Sequence, residues 1–178
     1  MKFTELEIKG AFLIEIEPHN DNRGFFSRGF CRKEMKEKTG IDFEVCQSNI
    51  SFNAKKGTIR GIHYQVHPYE ERKIVSCVKG KIFDVVVDLR KDSPTYLKWY
   101  GVELTEDNYK MLLIPQGCGH GFQSLEDDTV LNYKVDQFFN SNADSGVCYN
   151  DPAINVIFPI KDNIIISEKD KNHARWSV

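Results

Sequence analysis

Strand-like runs recur along the whole chain, and their spacing constrains the fold more than any other feature. Alternating or apolar runs such as FLIEIEP, GTIRGIHYQ and TVLNYKVD are separated by turn signals such as KDSPT, TEDN and NSNADSG. One strand about every ten residues is typical of a β-sandwich or barrel. We therefore predict an all-β fold, an antiparallel barrel of the jelly-roll type with short helical additions.

Two short segments favour a helix. CRKEMKEKTG ends in Gly40, a suitable C-cap, and Ser167 is a suitable N-cap for a second helix near the end of the chain. Between them, VKGKIFDVVVDLR predicts a β-hairpin that turns at Lys79 and Gly80.

Size and charge limit the class of protein. The 178 residues contain no linker or repeat, so we expect one domain, 1–178. A formal net charge of -2 argues against a nucleic-acid partner, and no apolar run reaches the roughly 20 residues of a membrane helix. The five cysteines lack metal-type spacing, and the N-terminus lacks a signal peptide. We expect a cytoplasmic protein with reduced thiols.

Several polar residues do not fit the interior of a plain barrel. Arg60 and His63 share one strand-like run, where strict alternation would send them to opposite faces unless a bulge at Gly61 re-aims one of them. His120 follows a glycine-rich turn, and Tyr133 lies on an alternating strand. Taken singly, His63 and Tyr133 are better explained as hydrogen-bonded structural residues. Taken together, these residues indicate a site inside the barrel.

A metal centre is one alternative for this site. Metal-binding cupins, which are barrels of the double-stranded β-helix type, carry two histidine motifs. Here Gln65 stands where the first motif has its second histidine, while PQGCGH (115–120) keeps the second motif. His63, Glu70 and His120 could still supply three ligands, but glutamine is a poor ligand for transition metals. We therefore predict no metal.

Long motifs in one order carry a specific resemblance. The chain resembles the dTDP-4-dehydrorhamnose 3,5-epimerase family, the RmlC-like cupins, over nearly its whole length. The motifs that carry the resemblance are DNRGFFSR (21–28), QSNISFNAKKGTIRGIHYQ (47–65), RKIVSCVKGKIFDVVVDLRKDSPTYLKWYGVEL (72–104), IPQGCGHGF (114–122), YKVD (133–136), NDPAINVIFP (150–159) and SEKD (167–170).

The resemblance implies an isomerase of deoxysugar biosynthesis that inverts C3, C5 or both on a nucleotide-linked 4-keto-6-deoxy sugar. The 4-keto group acidifies the neighbouring C–H bonds, so a base can form an enolate that is reprotonated from the other face. The family's base maps to His63, paired with Asp170, and its acid maps to Tyr133. Lys73 maps to a lysine that stabilises the enolate. No cofactor is implied.

The resemblance also implies how substrate is bound. Arg23 and Arg60 match positions that hold the pyrophosphate, as suits a guanidinium group. The remaining predicted substrate-binding residues are Phe26, Arg28, Gln47, Asn49, His120 and Phe138. Family members form homodimers that exchange N-terminal strands, so Arg23 would reach the partner subunit's site.

Three departures from the family pattern concern the nucleobase end. Arg28 replaces a glutamate, Phe138 and Phe139 replace a common tyrosine pair, and Tyr149 replaces a tryptophan. They suggest the hypothesis that the nucleotide is CDP or GDP and not dTDP. A metal-dependent cupin enzyme and a non-catalytic sugar-nucleotide-binding cupin are the competing function classes.

Overall fold

The computed structural model describes residues 1–176, which form a barrel of two facing sheets with two short helices. In chain order the elements are β1 (Lys2–Glu5), β2 (Phe12–Glu15), β3 (His19–Asp21), β4 (Gly24–Phe26), α1 (Arg32–Thr39), β5 (Gln47–Asn53), β6 (Thr58–Gln65), β7 (Lys73–Lys79), β8 (Lys81–Asp88), β9 (Trp99–Thr105), β10 (Met111–Ile114), β11 (Cys118–Ser124), β12 (Thr129–Val135), β13 (Asp144–Gly146), β14 (Ile165–Ile166) and α2 (Glu168–Lys171). The predicted all-β, cupin-type class is confirmed.

The two sheets are built from strands that are far apart in the chain. The first sheet has the spatial order β1-β2-β10-β7-β12-β5. The second has the order β13-β6-β11-β8-β9, and β14 pairs with β6 in parallel. A separate two-stranded sheet, β3-β4, stands outside both.

The main core lies between the two sheets. Val75, Leu112 and Leu131 from the first sheet and Val86 from the second are completely buried in one apolar cluster. Burying side chains of this size contributes about 1.5–3 kcal/mol each. This packing makes the barrel a rigid support for the polar side chains at one end.

Both predicted helices are present. Helix α1 ends at Gly40, which has the left-handed φ of 76° and donates its N–H to the Lys36 carbonyl. Helix α1 packs through the buried Met35 against a second apolar cluster under the first sheet. Helix α2 begins after Ser167, whose side chain accepts the Asp170 N–H, as predicted from the N-cap.

The predicted hairpin at Lys79 and Gly80 is wrong. The chain does reverse there, since Gly80 has a φ of 76°, but β7 belongs to the first sheet and β8 to the second. A turn signal indicates a change of direction, and it carries no information about which strand the next segment will pair with. Here the turn carries the chain from one wall of the barrel to the other.

The predicted bulge at Gly61 is confirmed. Strand β11 pairs His120 with His63 and Phe122 with Arg60, so β6 has one extra residue over this interval. Arg60 and His63 are three positions apart, which in a regular strand would place them on opposite faces. The extra residue offsets this, and both side chains line the same cavity.

The five cysteines are free thiols. No helix within the described part of the chain, 1–176, is long and apolar enough to cross a membrane.

Candidate active site

Two adjoining cavities open between the sheets, with volumes of about 340 and 310 Å³. They share three residues: His63 from the second sheet, and Lys73 and Tyr133 from the first. Three of the four predicted catalytic residues therefore meet in one space. The other predicted residues that line the cavities are Gln47, Asn49, Arg60 and His120.

The fourth predicted catalytic residue, Asp170, lies directly behind His63. Nε2 of His63 is 2.7 Å from Oδ1 of Asp170, although the two residues are 107 positions apart in the chain. Among residues 1–176, Asp170 is the only hydrogen-bond partner of the His63 ring. The carboxylate therefore accepts the Nε2 proton and leaves Nδ1 as the nitrogen that can take a proton from a ligand.

The local fold of α2 holds Asp170 in an ionised form. Asp170 is 4% exposed, and burial alone would raise the pKa of its carboxyl group. Hydrogen bonds from His63 and from the Gly61 N–H, which is 3.1 Å from Oδ2, outweigh burial and lower the pKa below its ordinary value. A buried carboxylate next to His63 would stabilise an imidazolium cation once His63 has taken a proton.

Tyr133 faces His63 from the opposite wall, because β12 and β6 belong to different sheets. Burial raises the pKa of the Tyr133 phenol, and the negative charge of Glu71 adds to this effect. The phenol is therefore protonated near neutral pH and can donate a proton. Lys73 is nearly buried in the same cavity, with Nζ 2.8 Å from Oε1 of Glu71.

A second histidine–aspartate pair stands beside the first. Nε2 of His120 is 2.7 Å from Oδ1 of Asp84, which is completely buried and whose Oδ2 has no hydrogen-bond partner within the described residues. Burial raises the pKa of Asp84, whereas the charges of His120 and Lys73 act in the opposite direction.

Sequence reasoning missed both Asp84 and Glu71. An aspartate inside the otherwise apolar run KIFDVVVD is the signal that could have revealed Asp84.

Arg60 presents a fixed cation at the mouth of the site. Its Nε donates to Oδ1 of the buried Asn53 at 2.9 Å, and its Nη2 donates to the Phe52 carbonyl at 3.2 Å. These bonds orient the guanidinium plane while the side chain stays exposed. Such a group is suited to a phosphate oxygen.

Gln65, which occupies the position of a metal ligand in other cupins, organises a loop. Its Nε2 donates to the Phe138 carbonyl at 3.3 Å, and its Oε1 accepts the Asn140 N–H at 2.7 Å. Gln47 also accepts the N–H of Phe139. Phe139 lines the cavity and the predicted residue Phe138 does not, although both side chains are largely exposed, at 60% and 63%.

Besides Phe138, three predicted substrate-binding residues are not part of the cavity in the isolated chain. Arg23 follows β3 and pairs with Asp21 on an exposed hairpin. Phe26 and Arg28 line a different cavity near the N-terminus.

The three residues considered as metal ligands are not assembled. Glu70 lies 3.2 Å from His67, which is exposed, and it lines neither cavity. His63 and His120 each pair with an aspartate instead.

Comparison with known proteins identifies the family. Residues 5–177 match the family model described as dTDP-4-dehydrorhamnose 3,5-epimerase. A protein of that name from Shigella flexneri is 40% identical over 99% of this chain and 96% of its own length. The crystal structure of the dTDP-4-dehydrorhamnose 3,5-epimerase from Elizabethkingia anophelis NUHP1 superposes with a TM-score of 0.96 at 36% identity, covering 99% of this chain and 96% of that one.

A further solved structure contains a ligand. The dTDP-6-deoxy-D-glucose-3,5-epimerase RmlC from Legionella pneumophila Philadelphia 1, in complex with dTDP-4-keto-L-rhamnose, has a TM-score of 0.91 at 33% identity and covers 98% of this chain and 92% of that one. Given these matches over nearly the full length of both partners, the chain belongs to the dTDP-4-dehydrorhamnose 3,5-epimerase family.

Proposed function

We propose that this protein is a sugar-nucleotide epimerase that inverts carbons next to the keto group of a dTDP-linked 4-keto-6-deoxyhexose. The observation that carries the proposal is the placement of His63, backed by Asp170, and Tyr133 on opposite walls of one cavity. Epimerisation needs a base on one face of the sugar and an acid on the other, whereas binding alone needs neither.

The first step is removal of a proton from C3 or C5 by Nδ1 of His63. The electrons of the C–H bond form a C=C bond, and the carbonyl π electrons move to the 4-oxygen, which becomes an enolate. Asp170 stabilises the imidazolium cation through its 2.7 Å contact with Nε2. Lys73 supplies a positive charge for the enolate oxygen.

The second step returns a proton from the other wall. Tyr133 donates its phenolic proton to the carbon while the enolate electrons re-form the carbonyl group. The tyrosinate then recovers a proton from solvent, and His63 releases the proton that it took. The raised pKa of Tyr133 keeps the phenol protonated until this step.

The nucleotide would extend from the sugar towards the rim of the cavity. Arg60 is placed to bind the pyrophosphate, with Gln47 and Asn49 as polar contacts in the adjoining cavity. Phe139 supplies an aromatic ring on which a base could stack. The dTDP ligand of the Legionella protein supports dTDP for this chain, and the CDP or GDP alternative remains a hypothesis.

Turnover of a panel of 4-keto-6-deoxyhexoses linked to dTDP, CDP and GDP tests the proposal directly. Proton NMR in deuterated water reports which carbons exchange and which product forms. We expect exchange at C3, C5 or both with the dTDP sugar, at a kcat/KM at least tenfold above the other two. Preference for CDP or GDP would overturn the dTDP assignment, and absence of exchange with all three would overturn the epimerase assignment.

We also propose that two copies form a dimer by exchanging the β3–β4 hairpin. Every residue of this hairpin is exposed, and Phe26 is 77% exposed. Strand β5 is the edge of the first sheet, and its side chains Ile50 and Phe52 are exposed beside the cavity. Proteins usually cover an edge strand that has unpaired backbone groups and exposed apolar side chains. A hairpin from the partner subunit would cover it and carry Arg23 towards Arg60.

Sedimentation equilibrium at micromolar concentration should give twice the mass of the chain. Phe26→Asp should shift the protein to monomer, whereas Ile157→Asp, at another exposed apolar position, should leave the dimer intact. Arg23→Ala should keep the dimer and raise KM. A monomeric unmodified protein would refute the exchange.

A further inference from the structure

We propose that His63, Asp170 and His173 form a binding site for a divalent transition-metal ion of the zinc class, and that an ion bound there blocks the epimerase. One ligand atom from each residue lies within 4.8 Å of the other two, the only such group of three among residues 1–176. Two imidazoles and one carboxylate are a ligand set that Zn²⁺ and its neighbours accept. This set differs from the one considered from sequence, since only His63 is common to both.

Two of the three distances between the ligand atoms are close to those of a tetrahedral metal site. Bonds of about 2.0–2.2 Å in tetrahedral geometry place neighbouring ligand atoms about 3.3 Å apart. Oδ1 of Asp170 is 2.7 Å from Nε2 of His63 and 3.6 Å from Nε2 of His173. Three coordination positions would need the first distance to widen by about half an ångström and the second to close by less, and the two histidine nitrogen atoms, which lie within 4.8 Å, to reach the same separation.

His173 has no other evident use for the nitrogen that it points at Asp170. Its Nε2 is buried and has no hydrogen-bond partner in the described chain. A buried polar atom without a partner is rare and costs stability, so it calls for a ligand such as an ion or a water molecule. The ring also occupies a prepared space, because a Cβ atom at Gly146 would lie 2.5 Å from that same Nε2.

Occupation of this site would stop proton transfer. For Nε2 of His63 to bind the ion, the proton that Nε2 donates to Asp170 must move to Nδ1 by way of solvent, and the hydrogen bond between His63 and Asp170 would be lost. Nδ1 would then carry a proton and could not take one from the sugar. The inhibition rests on the proposed function, whereas binding of the ion does not.

Binding is tested with Zn²⁺ alone, by calorimetry on the chelator-treated full-length protein, with Co²⁺ absorption as a probe of coordination. We expect one Zn²⁺ per chain, with affinity at least tenfold weaker in His173→Ala and His173→Phe. The matched control is His67→Ala, which removes an exposed histidine outside the cluster and should bind like the unmodified protein. Equal affinity in all four proteins would overturn the site.

Inhibition is tested with the same variants. Zn²⁺ should inhibit the unmodified protein and His67→Ala, and His173→Ala should need at least tenfold more Zn²⁺ for the same inhibition, while its activity without metal stays within about threefold. Equal sensitivity of His173→Ala would overturn the inhibitory role. If the unmodified protein binds Zn²⁺ but lacks epimerase activity, the proposed function fails and the metal site stands.

Discussion

Replacing His63 with alanine should lower the rate of deuterium exchange at C3 and C5 by roughly a thousandfold or more. A positioned general base typically contributes about 10²–10⁴-fold, and the carboxylates that line the cavity within residues 1–176, Glu71 and Asp144, are each paired with a lysine. Tyr133 is protonated, and His120 is already paired with Asp84. Proton NMR of the substrate in deuterated water, at saturating concentration, measures the loss.

Two further variants separate the roles of the residues around His63. Asp170→Asn keeps the size of the side chain but removes the charge that stabilises the imidazolium, so it should also lower the exchange rate strongly. Tyr133→Phe should retain measurable exchange but impair inversion, because the base remains and the acid on the other face is gone. Retained binding of dTDP would show that each variant is folded. Full activity of His63→Ala would refute the assignment of the base.

Gly61→Ala should destabilise the fold by about 2–5 kcal/mol through backbone strain and overpacking. Gly61 has a φ of +111°, and a Cβ atom there would lie 2.5 Å from the His120 carbonyl oxygen and 2.6 Å from Cα of Gly121. Both atoms belong to the backbone of β11, which is held between β6 and β8. The strand cannot move aside without losing its pairing. For a chain of this size the melting temperature should fall by roughly 10 °C.

Two other glycines serve as controls for this prediction. Gly40 has a positive φ of +76° but no atom near its Cβ position, so Gly40→Ala should reveal the cost of strain alone, about 1 kcal/mol. Gly29 has neither feature, and Gly29→Ala should be nearly neutral. Thermal unfolding of all three variants gives the comparison. A Gly61→Ala variant as stable as Gly29→Ala would contradict the proposed close packing of β6 on β11.

Local patterns in the sequence predicted the features that depend on neighbouring residues. The alternation of strands, the C-cap at Gly40 and the N-cap at Ser167 all follow from contacts within a few positions. The bulge at Gly61 could also be predicted from the sequence, because a glycine inside a strand pattern indicates a bend.

The pairing of strands that are distant in the chain could not be predicted from local sequence patterns. The turn at Gly80 predicted a hairpin, yet β7 and β8 lie in different sheets. Similarly, Asp84 is one of several acidic residues in strand-like runs, and only the facing strand β11 makes it the partner of His120. Gln65 and Gln47 form hydrogen bonds with the backbone of Phe138 and Phe139. These long-range bonds decide that Phe139, and not Phe138, lines the cavity.

The sequence by itself determined the class of fold, one end of each helix and, through long motifs, the family and its expected catalytic residues. The tertiary structure decided which of those residues share one space. His63 and Asp170 are 107 positions apart, and their 2.7 Å contact requires β6, α2 and the bulge at Gly61 to be in place together. The physical reason is that periodicity reports interactions over a few residues, whereas the site is made by sheets that pack strands from the whole chain against one another.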